Sequence, residues 1–193
     1  WLSPDGRPSD RVVHVRGRPK KQPDMRMLTP EDHVHMPGSG HRGVHAMEGV
    51  YGLIRDAGMS IIFVNTRAQA ELCFAELWRL NEDGSAIAMR HGSLDREQRR
   101  KVEAAMAAGT LQSVVATSSL ELGIDWGDVD LVVQVGAPKG VSRLMQRIGR
   151  ANHRFDEASR AVLVPANRFE VLECQACMDG VFDEELDGDP IRP

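Results

Sequence analysis

Short, nearly unbroken apolar runs at residues 60–65, 113–116, 131–135 and 161–164 constrain this chain more than any other feature of its sequence. A strand with one wet face alternates apolar and polar residues. These runs do not alternate, so both of their faces are expected to be buried, as in a parallel sheet held between two layers of helices. A further strand is expected at 86–90. The intervening stretches change period: 44–57, 68–80, 95–108 and 168–178 carry apolar residues at helical spacing, with Leu72, Ala75, Leu77 and Leu80 forming the expected core stripe of the second. Asp95 or Ser93 is placed to cap the third. Strand-helix alternation of this kind predicts a doubly wound α/β parallel sheet.

At 193 residues there is room for one such domain and an appendage. The sequence divides into a linker over 1–42 with a strand at 11–16, a domain over 43–178, and an acidic connector over 179–193. The net charge of -4 conceals segregation: residues 1–30 hold seven Arg/Lys against three Asp/Glu, and residues 170–193 hold eight Asp/Glu against Arg192 alone. An acidic end repels nucleic acid, so any nucleic-acid track is expected elsewhere. Three cysteines make no disulfide framework, and no apolar run is long enough to span a bilayer, so the expectation is a cytoplasmic protein without a membrane partner. The chain opens Trp-Leu-Ser-Pro-Asp-Gly without a signal pattern or an initiator methionine, which suggests a piece of a longer polypeptide.

In doubly wound sheets the functional groups collect on loops at the carboxyl ends of strands. Asn65-Thr66-Arg67, His91-Gly92-Ser93 and Thr117-Ser118-Ser119 each follow an expected strand. Their hydroxyls, amides and cation, with the backbone N–H groups of the next helix, suit sequence-independent contact to a sugar-phosphate backbone. Each taken singly is as well explained as a helix cap; three in succession carry the signal. Farther on, Gly123 allows close backbone approach and Asp125 offers a carboxylate suited to ribose hydroxyls. Gln146-Arg-Ile-Gly-Arg150 then sets two arginines three apart, able to aim two guanidinium forks at phosphate oxygens, although the same spacing also describes a solvated basic face.

The ordered set Phe63-Val-Asn-Thr-Arg67, Arg90-His-Gly-Ser93, Ala116-Thr-Ser-Ser-Leu-Glu-Leu-Gly-Ile-Asp125 and Gln146-Arg-Ile-Gly-Arg150 resembles motifs IV to VI of superfamily 2 helicases, over roughly residues 44–178. The texture between the motifs, with Gln134-Val-Gly-Ala-Pro-Lys139, Gly140 to His153 and Pro165 to Cys174, is similar to the large-helicase-related group and within it to the bacterial ligase-associated DEXH-box helicase. The resemblance implies a second RecA-like lobe that completes an ATP site with an N-terminal lobe of the same polypeptide, the alternative being a non-catalytic helicase-like module that only binds a protein or a strand. It places Arg150, Arg147 and Gln146 at the ATP phosphates, Gly123 and Asp125 near the ribose, and Asn65, Thr66, Arg67, His91, Gly92, Thr117 and Ser118 on one strand of DNA, or alternatively RNA. ATP and magnesium would be held mainly by the first lobe. No Gly-x-x-x-x-Gly-Lys-[Ser/Thr] occurs among these residues, so this piece alone is expected to be inactive. An ATP-dependent DNA ligase and a nuclease are the implied repair partners. Many superfamily 2 members carry a further arginine at the position of His153; here Arg154 follows it, leaving Arg147, His153 or Arg154 as the second cation.

Other patterns carry less. Gly38-Ser-Gly40-His-Arg-Gly43 fits a dinucleotide fingerprint, but the polar stretch before it, ending in Pro37, is no central strand; the resemblance implies instead a stretch that joins the lobes, as a flexible hinge or a nucleotide-edge contact. Cys174-Gln-Ala-Cys177 lacks the second pair a zinc site needs, with His33, His35, His41 and His45 in another segment; no metal site is expected. Phe74, Leu77 and Trp78 are expected in the core rather than stacked on bases. Trp126 is open between packing and nucleic acid.

Overall fold

The computed structural model describes residues 21–30, 36–40, 43–117, 128–151, 158–185 and 187. Six strands, β1 (Asp24–Met27), β2 (Ser60–Phe63), β3 (Ile87–Arg90), β4 (Ser113–Ala116), β5 (Leu131–Val135) and β6 (Arg160–Val164), form one sheet in the order β1-β6-β5-β2-β4-β3. Every pairing is parallel, with Ser60 in register with Ser113 on one side and Leu131 on the other. The helices are α1 (Met47–Asp56), α2 (Arg67–Leu80), α3 (Arg96–Ala107), α4 (Val141–Ile148) and α5 (Arg168–Phe182), with a 3-10 turn at Val44–Ala46 leading into α1.

The unbroken apolar runs are central strands because each supplies both layers. Ile62 and Val64 face α1 and α2 with Val50, Ile54, Ala70, Cys73 and Leu77. Ile61 and Phe63 face the other layer with Met106, Leu144, Ile148, Cys174 and Met178 from α3, α4 and α5. Fully burying one Ile or Phe side chain contributes roughly 1.5–3 kcal/mol, so a one-residue slip of β2 would exchange every partner at large cost.

Three details differ from the sequence-based expectation. The polar-apolar stretch at 24–27 forms an outer strand; only Met25 is buried, and its ladder to β6 is supplied by a partner more than 130 residues away. The strand expected at 11–16 lies outside the described residues. On α2 the face toward the sheet is Gln69, Ala70, Cys73 and Leu77, whereas Leu72 and Ala75 face solvent and Leu80 is half-buried. Trp78 therefore points outward, 59% exposed and stacked on Phe74 at 5.8 Å between ring centroids, so it is not a core residue. Finally, α5 runs to Phe182, carrying the start of the acidic connector as helix. Among the described residues no helix is long and apolar enough to cross a membrane.

Candidate functional site

Because β2, β4 and β3 are neighbours, their carboxyl ends bring Asn65-Thr66-Arg67, His91-Gly92 and Thr117 to one end of the sheet. Ser118 lies outside the described residues. Thr66 is the N-cap of α2, its Oγ1 accepting from the Gln69 N–H at 3.1 Å. Asn65 Nδ2 donates to the Ala137 carbonyl at 2.8 Å, and the Asn65 N–H donates to Gln69 Oε1 at 2.9 Å. Arg67 is exposed and pairs with Glu71 at 2.8 Å, which holds the Glu71 carboxyl below its ordinary range; the pair lies in water, where a phosphate can replace the carboxylate at little cost. His91 departs from the expected surface contact. The residue is only 4% exposed and its Nδ1 has no hydrogen-bond partner among the described residues, so what this strand end offers to solvent is the exposed Gly92-Ser93 stretch.

From β2 the chain leaves through α2 toward β3, and from β5 it leaves through α4 toward β6 on the opposite side. Adjacent strands whose connections part in this way leave a crevice beyond their carboxyl ends, the usual ligand position in such sheets. Here it measures about 350 Å³ and is lined by Asn65, Thr66, Gln69, Lys139, Glu170 and Glu173, among others. Glu170 is buried, and its Oε2 accepts from the N–H groups of Ala137 at 3.0 Å and Ala166 at 2.8 Å, tying the ends of β5 and β6 to α5. Gly136 has φ +82°, and a Cβ there would meet Asn65 Nδ2 at 3.0 Å and Gln69 Nε2 at 3.1 Å. Sequence reasoning missed Gln69, Lys139 and Glu170. The Asn167-x-x-Glu170 spacing marks the start of α5, and Asn167 does cap it, but nothing local says that Glu170 binds loops 4 and 33 residues upstream.

The arginine run divides. Gln146 is exposed and Arg150 is half-buried, its N–H donating to the Arg147 carbonyl at 3.0 Å and its guanidinium without a hydrogen bond or ion pair among the described residues. Arg147 is turned inward, 2% exposed, with its guanidinium 5.0 Å from the Phe63 ring centroid and NH1 donating to Gln134 Oε1. Burial, and secondarily the nearby Arg143, lower its pKa to about 10. The expectation that both arginines meet phosphate is corrected for Arg147: residues 147 and 150 straddle the end of a helix only eight residues long, and one packs on the sheet while the other follows in a turn. That turn is fixed by Ser159 Oγ donating to the Ala151 carbonyl at 2.8 Å, just before β6 begins. Arg150 thus lies near the starts of the strands, and the polar groups of β2, β3 and β4 lie at their ends. Gly123, Asp125, Trp126, His153 and Arg154 fall outside the described residues.

The glycine-rich stretch before α1 is strapped down rather than loose in its described parts. Pro37 O accepts from the Arg168 N–H at 3.1 Å, Met36 O from Arg168 Nε at 3.0 Å, and Gly40 O from Asn167 Nδ2 at 2.7 Å. Gly43, at φ +63°, would drive a Cβ to 2.9 Å from Val135. Of the cysteine pair, Cys174 is buried and Cys177 half-buried, and among the described residues no three His, Cys, Asp or Glu side chains gather as metal ligands.

The model of the helicase conserved C-terminal domain matches residues 45–155. The ATP-dependent helicase Lhr-Core of Sulfolobus acidocaldarius is 36% identical over 178 residues, covering 85% of this chain and 20% of that protein. The structure of Mycobacterium smegmatis helicase Lhr bound to ssDNA and AMP-PNP superposes with TM-score 0.79 at 33% identity, over 89% of this chain and 23% of the other. The DNA-bound helicase MrfA, at 20% identity, TM-score 0.68 and coverage of 88% and 24%, shares the fold. The chain spans about a fifth of the length of the curated Lhr-Core relatives it matches.

Proposed function

The chain belongs to the helicase conserved C-terminal domain family, with the RecA-like fold of that lobe, and from this we propose that it is the second motor lobe of an ATP-dependent DNA helicase or translocase. In this reading the lobe completes an ATP site shared with an N-terminal lobe and grips a nucleic-acid strand. The observation that carries it is the separation of two groups across one parallel sheet: polar residues and exposed backbone at the ends of β2, β3 and β4, and, in the turn held beside the start of β6, Arg150, whose guanidinium is unpaired among the described residues. A lobe with two such ends can hold a strand at one and a phosphate at the other, so that lobe closure moves one relative to the other.

Arg150 suits a nucleotide phosphate, being half-exposed and always charged, with a planar fork of donors. Bound ATP with magnesium would supply the phosphoryl transfer; the share of this lobe is the cation. Gln146, exposed on the same turn of chain, stands beside it, and Gly123, Asp125 and His153 are proposed nearby on motif resemblance alone. Thr66, Arg67, Gly92, Thr117 and Ser118 are proposed to contact the strand, with Asn65 shaping the loop that carries Thr66 and Arg67. DNA is favoured over RNA because the mycobacterial relative was captured with ssDNA. A role in DNA repair with a ligase and a nuclease, the ligase-associated branch, a cytoplasmic location and inactivity of this piece without its partner lobe belong to the same proposal.

The test is ATP turnover by the full-length protein with single-stranded DNA or RNA. DNA-stimulated hydrolysis is expected, and stimulation by RNA alone would replace DNA with RNA. Substituting Arg150→Ala is expected to lower turnover by roughly 10³ or more while the far-ultraviolet spectrum is kept; retained turnover would remove Arg150 from the phosphate site.

A further inference from the structure

Helix α4, which leads into Arg150, begins at Gly140, and no side chain from its own first turn caps it. The missing acceptor comes from 45–46 residues downstream: Asp187 Oδ1 accepts from the Val141 N–H at 3.0 Å and Oδ2 from the Ser142 N–H at 2.8 Å. The Asp187 N–H in turn donates to Ser142 Oγ at 3.2 Å. This is the reciprocal pairing of a capping box, assembled from two distant segments. Two glycines make room for it. A Cβ on Gly140, already at φ +102°, would lie 2.5 Å from Asp187 Oδ2, and one on Gly180 would lie 2.8 Å from Val141 Cγ2. The chain between is turned back by the Glu185 N–H donating to Gly180 O at 2.8 Å.

One residue of the acidic connector, Asp187, is therefore a helix cap. We propose that Asp187 is a positioning residue for ATP turnover, latching the connector onto the first turn of α4 and so fixing the helix that presents Arg150. The inference rests on the motor-lobe reading. Besides its apolar packing on the sheet and α5, helix α4 makes three anchoring contacts among the described residues: Asp187 at its first turn, Arg147 against Gln134 and Phe63 near its last, and Ser159 on the turn that follows. The latter two anchor the helix to the sheet. Among the described residues Asp187 is the polar tie between it and the acidic segment beyond α5, beside the packing of Val141 on Gly180, so a displacement of that segment is passed to α4 and to Arg150. A carboxylate facing the first-turn N–H groups also meets the positive end of the helix dipole, which makes this contact directional.

The experiment uses the full-length protein with Asp187→Ala and Asp187→Asn, read by amide hydrogen exchange over residues 139–146, by the kcat and KM of DNA-stimulated hydrolysis, and by single-stranded DNA affinity. In Asp187→Ala the first-turn amides are expected to exchange roughly fivefold faster, as for a lost N-cap. The same variant is expected to lose on the order of tenfold in kcat through misplacement of Arg150, with DNA affinity and KM within about twofold. Asp187→Asn, which keeps one acceptor, is expected to fall between. Unchanged exchange would overturn the latch. Faster exchange with unchanged kcat would overturn the positioning role, as would equal losses in kcat, DNA affinity and thermal midpoint, the pattern of a merely structural cap. A wild-type protein without DNA-stimulated hydrolysis would overturn the motor-lobe reading and the positioning role together, with exchange still judging the contact itself.

Discussion

The end of β2 and helix α4 hold their functional residues in opposite ways. At the end of β2, Thr66 caps α2 through a residue three positions on, and the Asn65 N–H is met by a residue four positions on. Helix α4 takes its first-turn acceptors from Asp187 and anchors Arg147 on Gln134, thirteen residues earlier. The backbone at the end of β2 is met by near neighbours and is ordered as its helix forms, with Asn65 Nδ2 alone of these groups reaching a distant partner, the Ala137 carbonyl. A region built from distant partners is ordered only when the sheet, α5 and the connector have assembled around it. The strand ends form a standing platform, and the arginine helix is a part whose position other segments decide.

Cross-substitution within the arginine run breaks the comparison most sharply. Arg147→Ala is expected to destabilise by roughly 3 kcal/mol in urea unfolding, because it leaves a cavity under Phe63 and strands the Gln134 carbonyl, whereas Arg150→Ala should leave unfolding unchanged and remove turnover. The reverse assignment would mean that Arg147 leaves its buried position in the working enzyme. At the strand ends, Glu170→Ala is expected to cost about 2–3 kcal/mol by freeing the buried N–H groups of Ala137 and Ala166, with Glu170→Gln costing less; a neutral Glu170→Ala would show that water replaces the carboxylate.

Smaller effects sharpen the contrast. Thr66→Ala is expected to cost about 1 kcal/mol as a lost cap and Thr66→Ser almost nothing. If DNA affinity falls in both, the γ-methyl matters to the strand; if only in the alanine variant, the hydroxyl does. The smallest effect is chemical. Burial pushes the Cys73 and Cys174 thiols up to about 12, so at pH 8 almost none is thiolate, and alkylation should proceed first at half-buried Cys177. Its own thiol is also raised, by burial and then by Asp187, so raising the pH toward 10 should speed its labelling. Mass-spectrometric mapping of the labelled cysteine checks this, and early labelling of Cys73 would mean that the α2 face opens.

Much of the fold was legible because its causes are local. An apolar run at 60–65 between polar ends is a buried parallel strand wherever it occurs, and Asp95 and Thr66 cap helices through their own first turns. Strand β1 was not legible, since Asp24-Met-Arg-Met27 becomes a strand only by adding to β6. The outward turn of Trp78 was missed because the spacing of Leu72, Ala75, Leu77 and Leu80 suggested a stripe, but α2 meets the sheet through the smaller Ala70 and Cys73, which permit closer approach.

What the sequence determined by itself was the alternation of elements, the parallel sheet that follows from it, and the collection of Asn65, Thr66, Arg67, His91 and Thr117 beyond strand ends. Periodicity and capping act over a few residues, and they are written along the chain. What only the tertiary structure decided was orientation: that Arg147 faces inward and Arg150 does not, that His91 is covered, that Glu170 clamps two loops, and that Asp187 caps α4. Each depends on a partner brought near by the packing of a whole layer, and a side chain's neighbours across space are not encoded in its neighbours along the chain.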